Sequence, residues 1–293
     1  MRAKLMDEIT KLSIESRINK LKNLPALPEA SVKILEAVND PDVEIETLVK
    51  VISLSPALVA RLLGLANSAF FGQLNQIDDL HTAIVRVLGL QLVKSLSLGI
   101  LLNVQLDPKH CKGFDSQSFW MHSLITAITA QKLANQHRWQ NVSPANAYTC
   151  GLLLHIGILV AAYLFPEELD GILCQDSNNY FHIEAEIEKR FGQSHYQMGY
   201  ILLKKWRLPE FYQSMLNQFN TNGLTENQTE LNRCLHASQR ICYSILDQDA
   251  EESDLNLIAE QAQLPFEAVI TVFRTMLDGK DNVQKLASEM GGC

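Results

Sequence analysis

Four histidines stand on stretches that read as four different helices: His122, His155, His195 and His236. Neutral imidazole ligates transition metals and exchanges protons near neutral pH. Helices packed together can carry such ligands to one point from distant parts of a chain. None of the four has a histidine or carboxylate at i+1, i+3 or i+4, so no helix alone supplies a ligand pair. A lone histidine on an apolar face is ordinarily a hydrogen-bonded core residue, and that is the expectation for each taken singly. His155 is the sharpest case, because it sits inside Tyr148–Ala162, the most apolar run in the chain. Cys150 lies five residues away and off that face, so a thiol–imidazole pair is not expected. No Gly-x-Ser-x-Gly elbow, dinucleotide fingerprint or Walker loop is present.

The elements that must position these residues are helices. Residues 3–20 carry a loose apolar stripe, and Leu24-Pro-Ala-Leu-Pro28 is a rigid extended entry, since each proline fixes its own backbone and biases its predecessor. Helices are expected over residues 29–38, 44–53 and from Ser55-Pro56, where a capping serine precedes a proline. That third helix closes into Asn67-Ser-Ala-Phe-Phe-Gly72. There Asn67 caps and Phe70 and Phe71 pack inward, or else the aromatics form an exposed anchor for a partner protein. Two more helices flank Gly89, a long one runs from Asp115-Ser116 to about His137, and an apolar one from Ser143-Pro144 to residue 164. Shorter helices follow at about 167–175, 181–190, 195–205 and 209–219, then 226–246 and two beyond. Ser194 to Gln197 and Thr225 to Gln228 have capping-box spacing. Nothing alternates with period two over strand length, so the fold class is all-α.

Composition narrows the function classes. Twenty-five basic against 33 acidic residues give a net charge of −8, which argues against a nucleic-acid partner. Lys204, Lys205 and Arg207 around Trp206 read as a solvated helix end beside a core indole. The six cysteines, at 111, 150, 174, 234, 242 and 293, show no paired spacing and read as reduced thiols of a cytoplasmic protein. Met1 to Lys22 is charged throughout, so no secretory signal is expected, and the apolar run is short and interrupted for a spanning helix, so no membrane insertion is expected.

The motifs in order carry a resemblance. Leu24-Pro-Ala-Leu-Pro28, Ser55-Pro-Ala-Leu58, Asn67-Ser-Ala-Phe-Phe-Gly72, Ala83-Ile-Val-Arg-Val-Leu-Gly89, Gly151 to Gly157, His195-Tyr-Gln-Met-Gly199 and Trp206-Arg-Leu-Pro209 resemble the successive motifs of HDOD domains. These are the HD-related output domains of bacterial signalling proteins. The resemblance covers about residues 20–220 and implies a multi-helix HD-domain-like bundle with an N-terminal helical subdomain at about 20–105 and HD-like helices at 115–220. Outside it, a helix at 1–19 and a C-terminal helical extension at 221–293 are expected from their own apolar patterns.

The resemblance also permits a residue-by-residue reading. The first ligand histidine of catalytic HD relatives falls on His122. Their His-Asp doublet falls on Leu154 and His155, a further histidine of the cyclic-dinucleotide phosphodiesterases on His195, their histidine pair near Gln218 and Phe219, and their closing aspartate on Gln239. The expectation is therefore a vestigial pocket of His122, Leu154, His155, His195, Gln218 and Gln239, with no carboxylate, no metal and no cofactor. Hard divalent ions need oxygen ligands, and these positions offer none. The expected function is a non-enzymatic signal-transduction module that binds a protein partner, with Asn67, Phe70 and Phe71 as a partner surface. The alternatives are a residual metal-dependent phosphohydrolase or cyclic-dinucleotide phosphodiesterase using His122, His155 and His195, and a nucleotide sensor without turnover.

Overall fold

The computed structural model describes residues 24–73, 75–137, 139–174, 180–219, 228–246 and 252–291, and among them every regular element is a helix. The expected helix at 1–19 and the capping box starting at Thr225 lie outside the described residues. The chain divides into two compact units. The first takes residues 24–26, 106–114 and 155–219, and the second takes 27–105, 115–154 and 228–291.

The second unit begins with α1 (Glu29–Asn39), α2 (Ile45–Ile52) and α3 (Pro56–Ala66). Ser55 caps α3 by accepting from the Leu58 amide, with Pro56 in the first turn. Asn67 ends it and holds the following corner from both sides: its Nδ2 donates to the Leu63 and Ile77 carbonyls at 2.8 Å, and its Oδ1 accepts from the Ile77 amide at 2.7 Å. Phe70 is exposed at 36% and meets Phe71, which is half-buried, edge to face at 5.0 Å. Residues 80–88 form one expected helix, but only its first turn, α4 (Leu80–Thr82), is α-helical, and Ala83–Leu88 widens into a π-helix. Gly89, at φ 78°, then turns the chain into α5 (Leu90–Gln105). The left-handed backbone there is one that glycine adopts without strain.

At the centre of this unit is α6 (Ser116–Gln136), whose residues from Phe119 to Ala130 are buried without a break. A helix buried all round must be covered on every side, and α7 (Pro144–Leu153), α13 (Glu230–Leu246), α15 (Phe266–Asp278) and α16 (Lys280–Gly291) pack against it. Between α13 and α15 in the chain lies α14 (Glu252–Ala262). The helix expected over 226–246 is described from Glu230 onward. Gly151 of α7 lies so close to α6 that a Cβ there would sit 2.7 Å from the Ala127 Cα.

The first unit holds α8 (Ile156–Leu164), α9 (Pro166–Leu173), α10 (Tyr180–Phe191), α11 (His195–Lys205) and α12 (Glu210–Gln218). The single helix expected from 144 to 164 is two helices, α7 and α8, broken at Leu154 and His155. The Leu154 amide reaches back only to Gly151 and the Ile158 amide only to His155, three-residue closures that stop the α ladder. The serine expected to cap this stretch, Ser143, stands at the cap position without a side-chain cap bond. By length and composition 144–164 could cross a membrane, but 89% of the apolar window is buried in the protein itself. Trp206 is core, as expected, and its Nε1 donates to the Pro25 carbonyl at 2.9 Å, tying the rigid entry segment to α11.

A buried imidazole and carboxylate cluster

Two glycines set up the centre of the first unit. A Cβ on Gly157 would lie 1.7 Å from the His195 carbonyl oxygen and 2.9 Å from the Gly199 amide. One on Gly199 would press Ile156 and Leu216 at 3.0 Å. Helices α8 and α11 therefore touch backbone to backbone, which only residues without a side chain allow. His155 precedes α8, with φ −93° and ψ 7°, and His195 opens α11 after its N-cap Ser194, whose hydroxyl accepts from the Gln197 amide. The close crossing lays the two imidazoles face to face, centroids 5.8 Å apart and planes 16° from parallel.

Between these rings stands Glu184 of α10. Its Oε1 is 3.5 Å from His155 Nδ1 and 3.6 Å from His195 Nε2, and it accepts a hydrogen bond from the Tyr196 hydroxyl at 3.1 Å. The ligand-type atoms of the three residues all lie within 4.8 Å of one another. The cluster is closed: His155 and His195 are 0% exposed and Glu184 2%. Tyr196 is held in turn by Phe219, ring centroids 4.8 Å apart.

Burial decides the protonation of His195. Desolvation pushes its imidazole down to about 4, with Glu184 opposing the shift and His155 adding to it. A ring at the first turn of a helix is also poorly placed to carry positive charge. At neutral pH the ring is uncharged, and neither of its nitrogens hydrogen-bonds within the described structure. A neutral imidazole nitrogen beside a carboxylate can take a proton, a water or a cation.

Glu184 corrects the expectation of a site without carboxylates. The sequence does contain its signal. Ile183, Ile187 and Phe191 form the buried stripe of α10, and Glu184 lies one residue from the first, three from the second and seven from the third, so it shares their face. A carboxylate on a core-facing stripe needs partners, and those partners are the two histidines and Tyr196.

The other predicted site residues are each described within their own unit. His122, Leu154, Gln239 and His236 belong to the second unit, all buried. His122 Nδ1 meets the carbonyl of Ser118, one turn back on its own helix, at 2.9 Å. Gln218 belongs to the first unit and is exposed at the end of α12, while its neighbour Phe219 is the residue that packs. Within the first unit, the residue that stands with His155 and His195 is Glu184. Cys150, weighed as a nucleophile, is fully buried and its thiol is pushed far up by desolvation, the opposite of activation.

Known proteins resemble this chain. An uncharacterized protein of Treponema pallidum (strain Nichols) is 32% identical over 213 residues, 70% of this chain, and the chain spans 39% of that protein's length. Among solved structures, a "putative signal transduction protein" of Marinobacter aquaeolei VT8 aligns at TM-score 0.77 and 23% identity, over 96% of this chain and 66% of that one. A "putative phosphohydrolase" of Shewanella amazonensis SB2B aligns at 0.73 and 23%, over 94% and 97%. An HDOD domain protein of unknown function from Geobacter sulfurreducens aligns at 0.68 and 22%, over 94% and 99%. Likeness at such identities fixes the fold. The HDOD domain family model matches residues 24–221, a span that contains both glycines, both stacked histidines and Glu184, and the chain belongs to the HDOD domain family.

Proposed function

We propose that this chain is a non-enzymatic regulatory module of signal transduction that works by binding a protein partner. The observation that carries the reading is the closure of the cluster. A hydrolytic metal site keeps an open position for water and substrate, and a phosphodiester needs a pocket of about 300 Å³ or more to enter. His155, Glu184 and His195 present no surface to receive one. Leu154, where catalytic HD relatives carry a ligand histidine, cannot ligate at all, and it too is fully buried. The name of the Marinobacter relative is in keeping with a signalling role. The partner surface we favour is the corner held by Asn67, where Phe70 stands exposed beside Phe71. Aromatic anchors of this kind dominate many interfaces.

The experiment is a turnover assay with a small chromogenic phosphodiester and with cyclic dinucleotides, the protein supplied in turn with manganese, iron, nickel and zinc. Rates at the level of the protein-free blank are expected. Metal-dependent hydrolysis that disappears in His155→Ala would end the proposal.

A further inference from the structure

We infer that His155, Glu184 and His195 form a closed binding site for one divalent transition-metal ion of the zinc class, which locks α8, α10 and α11 together without doing chemistry. The separations carry the argument. A nitrogen or oxygen donor to a carboxylate hydrogen bond spans about 2.7–3.2 Å, yet His155 Nδ1 and His195 Nε2 stand 3.5 and 3.6 Å from Glu184 Oε1. An ion bonded at about 2.0–2.1 Å to tetrahedral ligands spaces them by about 3.3–3.4 Å. Both contacts to Glu184 are therefore opened to roughly the edge of a zinc tetrahedron, not drawn in to hydrogen-bond length, and the two imidazole donors lie within 4.8 Å of one another.

The donor set points the same way. Two imidazoles and one carboxylate suit zinc, cobalt or nickel, whereas magnesium and calcium favour oxygen. The Tyr196 hydroxyl on Oε1 is the kind of outer partner that orients a ligating carboxylate and leaves it a further lone pair. His195, wholly buried with both ring nitrogens outside any hydrogen bond, is a polar side chain aimed into the cluster with nothing else to satisfy it. An ion there would join a residue before α8, one in α10 and the first of α11, elements far apart in sequence. All three ligands are buried from solvent, which suits a structural ion.

The test uses the full chain, untagged, stripped with a chelator and dialysed, then titrated with zinc or cobalt alone. One ion per chain is expected, with a higher Tm for the zinc form and the visible absorption of tetrahedral cobalt. Glu184→Gln keeps the shape of the side chain and should weaken zinc affinity by at least about 100-fold, and Tyr196→Phe, which touches no ion, by about 10- to 100-fold. His122→Ala, in the other unit, should leave stoichiometry and spectrum unchanged. A stripped protein that takes up no ion and shows no Tm shift overturns the inference. So does an ion whose affinity and cobalt spectrum are the same in Glu184→Gln or Tyr196→Phe as in the parent. A bound ion without turnover leaves the regulatory reading intact, and turnover would end that reading whatever the ion, so the two claims fail on different measurements.

Discussion

Replacing Gly157 by alanine tests how the cluster is assembled. The added methyl would lie 1.7 Å from the carbonyl oxygen of His195, where ordinary van der Waals contact begins near 3.4 Å. The obstacle is backbone, so it cannot swing aside, and α11 must retreat from α8 by more than about 1 Å to admit it. Overpacking of a tight core costs about 1–3 kcal/mol, and a backbone clash of this depth belongs at or above the upper end. For a domain of this size about 3 kcal/mol lowers Tm by roughly 6–12 °C. Gly64 supplies the control, since a Cβ there would meet Glu289 Oε2 at 2.5 Å, but that atom is the free end of an exposed side chain. Gly64 lies inside a helix, so alanine should gain back up to about 1 kcal/mol of propensity and leave stability unchanged or raised. Urea unfolding followed by far-ultraviolet circular dichroism reads both. A Gly157→Ala protein within about 1 kcal/mol of the parent, or a Gly64→Ala protein that loses more, would refute the claim that backbone contact sets the spacing of the two histidines.

Further expectations concern single groups. In metal-stripped protein, His195 is held near 4 when folded and returns to about 6.5 when unfolded, so between those values the unfolded chain binds the extra proton. Its contribution to stability is complete above about pH 6.5 and is lost as pH falls toward 4, with a slope of at most about 1.4 kcal/mol per pH unit. Urea midpoints at pH 7, 6 and 5 measure it, and His195→Gln should flatten the profile. Asn67→Ala removes three hydrogen bonds that brace the corner before Ile77 and should destabilise by about 1–3 kcal/mol in the same assay. Trp206→Phe keeps the ring and loses the bond to Pro25, so a cost of about 1–2 kcal/mol is expected by thermal unfolding.

Helices were legible in this sequence wherever punctuation and periodicity agreed. Ser55-Pro56 and Asp115-Ser116 start helices because an oxygen acceptor meets free amides there, and both caps are made. The break at Leu154 and His155 was not legible, because nothing in Gly151 to Gly157 forbids a continuous helix. It arises from packing: Gly157 must lie against the backbone of α11. The same contact explains why the pairing of His155 with His195 could be reached only through a family resemblance, since two residues forty apart share no local pattern. Glu184 is the instructive miss. It lies at none of the positions the resemblance marks, yet it is a carboxylate on the apolar stripe of Ile183, Ile187 and Phe191, and burial of an acid demands partners. The oxygen donor of the cluster comes from α10, a helix on which the resemblance marks no position.

The regulatory reading stands or falls on whether the closed cluster ever turns over a phosphoester. The decisive measurement is a single-turnover reaction with metal-loaded protein in large excess over a labelled phosphodiester, followed for hours beside the His155→Ala and His195→Ala double variant. The account predicts the same trace for both proteins, at the rate of the metal ion alone. Product that forms faster with the parent than with the double variant would contradict it.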